Sequence, residues 1–138
     1  MKVKDILNYN SIIKDIVNNS TNISALTKFK MLGMLKQFEP IITNYEVVRN
    51  EKIKEYGVLT DNGNYGIFVP QKNDFENDED YQKAVDQYEN VINQFDADMN
   101  EVVDSEADIK LNKFGKEILD AGISADYLLA LYELIEVE

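Results

Sequence analysis

Between Tyr81 and Phe95 the sequence places Tyr81, Ala84, Val85, Tyr88, Val91, Ile92 and Phe95 at i, i+3, i+4, i+7, i+10, i+11 and i+14, with a polar residue at every position between. A strand cannot use that spacing, because its faces alternate every second residue, whereas residues three and four apart share one face of a helix. The segment predicts an amphipathic helix, capped by Asn77 or Asp78, and the rest of the chain must supply the surface that covers its apolar stripe.

The remaining pattern is mostly helical. Ile6, Tyr9, Ile13, Ile16 and Val17 repeat the helical spacing from Asp5 to Val17, and the polar run Asn18-Asn19-Ser20-Thr21-Asn22 ends that helix. Ser24 is placed to cap a second helix whose stripe Leu26, Phe29, Leu32 and Leu35 or Met34 is expected to face the core. Pro40 lacks a backbone donor and disfavours helix at the residue before it, so it marks either a kink or a restart. Ile41, Tyr45, Val48 and Lys52 carry the period on to Tyr56, which predicts one long, bent helix of about 30 residues. Gly57 stops it. Val58-Leu59-Thr60 and Tyr65-Gly66-Ile67-Phe68-Val69 flank Asp61-Asn62-Gly63-Asn64 as a β-hairpin would, closed by Pro70.

After Phe95 the acidic stretch Asp96 to Asp108 predicts a loop or short strand, and the alternation around Ile109 and Leu111 an edge strand. A short helical stretch ending at Ala121-Gly122 and a capped helix from Ser124 to Ile135 complete the chain. The expected fold is α+β and predominantly helical: a long bent helix packed with two or three shorter helices plus a small β-hairpin, in a single domain over 1–138. Phe29, Leu32, Tyr45, Tyr81, Tyr88, Phe95, Leu128 and Leu131 are expected in its core, and Tyr9 and Tyr65 fall where solvent can reach them.

With 138 residues and 44% hydrophobic content the chain can bury a core without disulfides or a structural metal. No apolar run approaches the roughly 18 residues of a membrane span, and Met-Lys-Val-Lys-Asp-Ile-Leu-Asn lacks the apolar run of a secretory signal. The expectation is a soluble cytoplasmic protein. Absence of His and Cys removes the commonest general base, the thiolate nucleophile and the usual zinc ligands. No phosphate-binding glycine loop or nucleophile elbow occurs. Asp96 and Asp98 are the nearest approach to a carboxylate acid/base pair. From Asp96 the chain imitates positions 1, 3, 5 and 9 of a calcium loop, but Glu101 stands where glycine must turn and Ala107 where a bidentate acid must bind. The reading is therefore a protein that is not an enzyme, with no cofactor and no metal.

The net charge of −12 is unevenly spread. Residues 1–56 carry nine Lys/Arg against six Asp/Glu, and residues 57–138 five against twenty. The positive half is matched internally or by a second subunit, so a homodimer is compatible with the pattern. Residues 74–108 hold thirteen Asp/Glu and one Lys. Part of this is helix capping, since Asp78, Glu79 and Asp80 meet the positive end of a helix dipole. The remainder is a candidate partner-binding surface made of Asp74, Glu76, Asp78, Glu79, Asp80, Asp86, Glu89, Asp96, Asp98, Glu101 and Asp104. A field this negative repels phosphates, so direct nucleic-acid binding is disfavoured and a host or phage protein with a basic surface is the expected partner; no membrane is expected.

The order of short helix, long helix containing Thr27-Lys28-Phe29-Lys30 and ending near Glu55-Tyr56, hairpin over Asp61-Asn62-Gly63, and a helix opened by Phe75-Glu76 resembles a family of small phage and prophage proteins of Gram-positive bacteria, a domain of unknown function. The likeness covers roughly residues 1–112, and the closing Ile123-Ser124-Ala125-Asp126-Tyr127-Leu128 also looks like the family's tail. Pro40 departs from a pattern in which the long helix runs uninterrupted. The resemblance implies phage origin and the bacterial host cytoplasm. Joined to the acidic surface, it leads to the expectation of an inhibitor of a host nucleic-acid-handling or defence complex, anti-CRISPR-like, that imitates the charge of a nucleic acid. The alternative is a virion or tail-assembly accessory protein, structural or chaperone-like.

Overall fold

The computed structural model describes residues 1–20 and 22–136, so Thr21, within the expected break after the first helix, lies outside the described residues. The single domain expected over 1–138 is organised as two compact units, residues 1–43 with the chain from Ser105 onward, and residues 44–104.

In the first unit, α1 spans Val3–Asn19. Its start is fixed where the Lys2 backbone N–H donates to Asp5 Oδ2 at 3.0 Å. Ile6, Tyr9, Ile13 and Ile16 are buried along one face, as their spacing requires, with Val17 packed at the edge of the core. Tyr9 belongs to that core and is not solvent-facing. The next helix, α2, spans Ala25–Tyr56 without interruption at Pro40. Pro40 and Lys36 are both exposed, and proline offers no N–H to the Lys36 carbonyl. Ser24 caps the helix: its hydroxyl accepts from the Thr27 N–H at 3.3 Å and donates to Thr27 Oγ1 at 2.9 Å, which partners a threonine that is fully buried.

The buried stripe at the start of α2 is Thr27, Met31, Met34 and Phe38. Of the expected stripe, Met34 is buried, but Leu26, Phe29 and Leu32 are exposed, Phe29 by 76%. The reason is that apolar residues surround this part of the helix on all sides, so periodicity alone does not choose a face. The core selects the two flexible methionines and Phe38, which fill the irregular space against α1 and the C-terminal segment.

That segment is less regular than its sequence suggests. The expected edge strand near Ile109 and Leu111 does not form, and the final helix α4 covers only Ala125–Ala130. A 3₁₀ turn follows over Tyr132–Leu134. Helix propagation stops because the backbone finds other partners: Phe114 N–H donates to Leu134 O at 2.8 Å and Glu136 N–H to Phe114 O at 2.7 Å, a parallel bridge of Phe114 with Ile135. Phe114, Ile118, Leu131 and Leu134 thereby enter the core. A 3₁₀ turn over Lys116–Asp120 leads to Gly122, whose φ of +86° suits glycine and whose Cβ, if present, would lie 2.6 Å from the Asn22 carbonyl oxygen.

The second unit holds the C-terminal part of α2, a hairpin and α3. Strands β1 (Val58–Leu59) and β2 (Tyr65–Gly66) pair antiparallel, Val58 with Gly66 and Leu59 with Tyr65. Thr60 N–H donates to Asn64 O at 2.7 Å across a turn in which Gly63 takes φ +82°. Strand pairing is shorter than expected and ends before Ile67. A 3₁₀ turn over Lys72–Asp74 precedes α3, which spans Asp78–Val103 and is capped by Asn77, its side chain accepting from Asp80 N–H at 2.8 Å.

Helix α3 passes through Asp96–Val103, where the expectation is a loop or short strand. Tyr81, Val85, Tyr88, Ile92, Phe95, Met99 and Val102 step alternately by four and three, so the apolar seam never stops; the acidic residues occupy the positions between. Met99 is buried, while Tyr45, Tyr81, Tyr88 and Phe95 are half-buried. Of the eight residues expected in the core, Leu131 is fully buried, Leu128 and these four aromatics half-buried, and Phe29 and Leu32 exposed.

Candidate functional site

Charge divides along the same boundary as the fold. Residues 44–104 carry five Lys/Arg and fifteen Asp/Glu, a balance of −10, which leaves −2 for the other unit. In that other unit the basic N-terminal part meets the acidic C-terminal part: Lys30 pairs with Glu117, and the Met1 amino group lies 2.9 Å from Glu106. The Lys30 bond holds the Glu117 carboxyl below its ordinary pKa.

The structure brings the predicted site residues into one unit but not onto one line. Asp74 lies in the 3₁₀ turn, Glu76 in the link, Asp78, Glu79 and Asp80 in the first turn of α3, Asp86, Glu89, Asp96, Asp98 and Glu101 along it, and Asp104 at its C-cap. All are exposed except Asp98, which is half-buried. Asp78 and Glu79 make only loose ion pairs, with Lys72 at 3.8 Å and Lys83 at 3.7 Å, of the exposed kind that contributes little.

Asp98 is different. The Tyr56 hydroxyl donates to its Oδ2 at 2.6 Å and Lys52 Nζ stands 3.5 Å away, so it ties α3 to α2. The Tyr56 hydrogen bond, with Lys52 behind it, holds the Asp98 carboxyl low, and the same bond raises the Tyr56 hydroxyl. Asp98 is therefore largely engaged within the fold. Asp96, two residues earlier on the helix, cannot share its face, so the two do not form an acid/base pair. The calcium-loop spacing has no loop to act in, because these residues are helical to Val103, and among the described residues no three carboxylates gather around a point that a metal could occupy.

A feature the acidic residues did not announce lies at the hairpin. Tyr56, Val58, Ile67, Phe68, Ala84, Tyr88 and Val91 surround a cleft of about 200 Å³. Because Tyr56 of α2 meets Tyr88 and Val91 here while Lys52 reaches Asp98, the two helices run antiparallel. Glycines shape the cleft: a Cβ on Gly57 would lie 2.6 Å from Gly66 O, and one on Gly66 would strike the Phe68 ring, which folds over that bare backbone. Val58 is 62% exposed and Phe68 59%, with Leu59, Tyr65 and Val69 exposed beside them. The sequence signal was present in the unbroken apolar run Ile67-Phe68-Val69, which exceeds what two short strands can cover.

In the first unit a larger cleft of about 530 Å³ is lined by Asp5, Tyr9, Lys113, Tyr132 and Glu133. Tyr9 donates to Glu133 Oε2 at 3.1 Å, and burial together with that bond pushes its hydroxyl up to about 12. Among the described residues no helix is long and apolar enough to cross a membrane. Compared with known proteins, the chain matches no family model, no curated protein and no solved structure.

Proposed function

We propose that the chain is a non-enzymatic, phage-encoded protein that acts in the bacterial host cytoplasm by binding a host protein with a basic surface, and so inhibits a nucleic-acid-handling or defence complex. The observation that carries this reading is the charge of α3. Nine carboxylates and one lysine lie between Asp78 and Asp104, a balance of −8. At the rise of an α-helix this is one net charge per roughly 5 Å. A single nucleic-acid strand carries one per roughly 3.4 Å and a duplex one per roughly 1.7 Å. The helix is thus within a factor of about two of a single strand and well short of a duplex, so a groove that holds single-stranded nucleic acid is the better electrostatic match.

The test is capture from host lysate by the full chain and by a variant carrying Asp78→Lys, Glu79→Lys, Asp86→Lys and Glu89→Lys, each at about 0.05 and 0.3 M salt. The expected partner is lost on charge reversal, released by salt and displaced from the chain by single-stranded DNA. Exposed Leu26, Phe29 and Leu32 on α2 favour a second reading, a virion or tail-assembly accessory protein. Capture that ignores charge and salt but disappears when those three are made polar would replace the first reading with the second.

A further inference from the structure

We infer that the cleft walled by Tyr56, Val58, Ile67, Phe68, Ala84 and Tyr88 receives one aliphatic or aromatic side chain from a lysine- or arginine-rich segment of the partner protein. The inference rests on the proposed acidic-surface function and adds where the partner inserts and what it presents. At about 200 Å³ the cleft is smaller than the roughly 300–1,000 Å³ of small-molecule sites, and suits a single anchor side chain. It is a built feature, since the Gly57–Gly66 approach and the Phe68 ring over Gly66 leave no room for a side chain at either glycine. Val58, Leu59, Phe68 and Val69 extend it into an exposed apolar apron of the kind found where proteins dock.

Charge selects the occupant. The unit that holds the cleft carries −10, so a second copy of the same unit is repelled and a cationic segment attracted. Asp80 stands one turn before Ala84 on the same side of α3, so a lysine or arginine beside the anchor meets a carboxylate.

The experiment uses the full chain and two synthetic lysine-rich peptides of equal charge, one with a single central tryptophan and the other with serine in its place. Because the chain has no tryptophan, indole emission reports the peptide alone. The tryptophan peptide is expected to bind about tenfold more tightly than the serine peptide, with its emission shifted to the blue. Phe68→Ala, which removes a wall, and Ala84→Leu, which fills the floor, should each abolish that advantage while the serine peptide binds as before. Equal binding of the two peptides, or an advantage that survives both substitutions, overturns the cleft and leaves the acidic surface standing. Binding of neither overturns both. A salt-stable dimer of the free chain that Phe68→Ala dissolves, seen by sedimentation, would give the cleft to a second copy and also overturn the inference.

Discussion

Replacing Tyr9 by phenylalanine should make stability depend on pH in a way that reverses sign. Tyr9 is 7% exposed, and its hydroxyl pKa rises from 10.0 to about 12 through burial first and the Glu133 bond second. A group whose folded pKa is raised contributes stability that is fully present below its unfolded pKa and is lost as pH rises through the folded one. Here the window is from 10.0 to about 12. Within it the unfolded chain gains the free energy of ionising Tyr9 while the folded chain resists, which amounts to roughly 2 kcal/mol near the top of the window. At neutral pH Tyr9→Phe loses only the bond to Glu133, an exposed residue that water can satisfy, at a cost of about 1 kcal/mol. Wild type should therefore be the more stable at about pH 8 and the variant at about pH 11.5. Urea denaturation followed by far-ultraviolet circular dichroism at both pH values measures the difference. Tyr56 and Tyr127, whose hydroxyls are also raised by carboxylate hydrogen bonds, titrate in both proteins and cancel. A difference that stays constant across the window would refute the burial-plus-Glu133 account.

Phe38→Ala should destabilise by about 3–5 kcal/mol, since Phe38 is fully buried, while Phe29→Ala should change stability by less than about half a kilocalorie; similar values in urea would restore the Phe29 face as the core. Gly33→Ala should stabilise by roughly 0.5–1 kcal/mol, because its Cβ meets nothing on a helix, and Gly122→Ala should cost at least about 1 kcal/mol from its positive φ and the Asn22 carbonyl. Thermal melts that rank the two glycines the other way would contradict the geometry. Pro40→Ala returns an N–H to the Lys36 carbonyl inside a continuous helix and should raise the melting temperature, by the equivalent of about 1–3 kcal/mol; a decrease would mean that proline supplies a conformation the fold requires.

The helices that were legible in the sequence are those with one apolar face. In α1 and α3 the polar positions are as informative as the apolar ones, so Ile6, Ile13, Tyr81 and Tyr88 turn inward as read. Around Leu26 to Phe38 the helix is apolar on several sides, and only the partners on α1 and the C-terminal segment decide that Met31 and Met34 are covered and Phe29 is not. The end of α3 was missed for a related reason: Asp96, Asp98 and Glu101 suggested a loop, although Met99 and Val102 keep the helical step between them. Beyond Leu131 local pattern favours more helix, but the Leu134 carbonyl and the Glu136 N–H bond to Phe114 instead. Such a bridge leaves no mark in a single stretch of sequence.

For the candidate site the same distinction governs what could be foreseen. Carboxylate density was countable, but its meaning depended on topology. The chain from Ser105 onward joins residues 1–43, so the acids at Glu106 and Glu117 find cations, and those on α3 find few. A net charge of −12 would favour solubility wherever it lay, and a uniform spread would make no demand on a partner. Concentrating −10 of it in 61 residues raises the self-repulsion of that unit, and the seam holding it together is only half-buried apart from Met99. Cations from a bound protein would relieve the repulsion and cover the Val58–Phe68 apron at once. The unit should therefore gain stability on binding more steeply at low salt than at high salt, where counterions already screen its carboxylates.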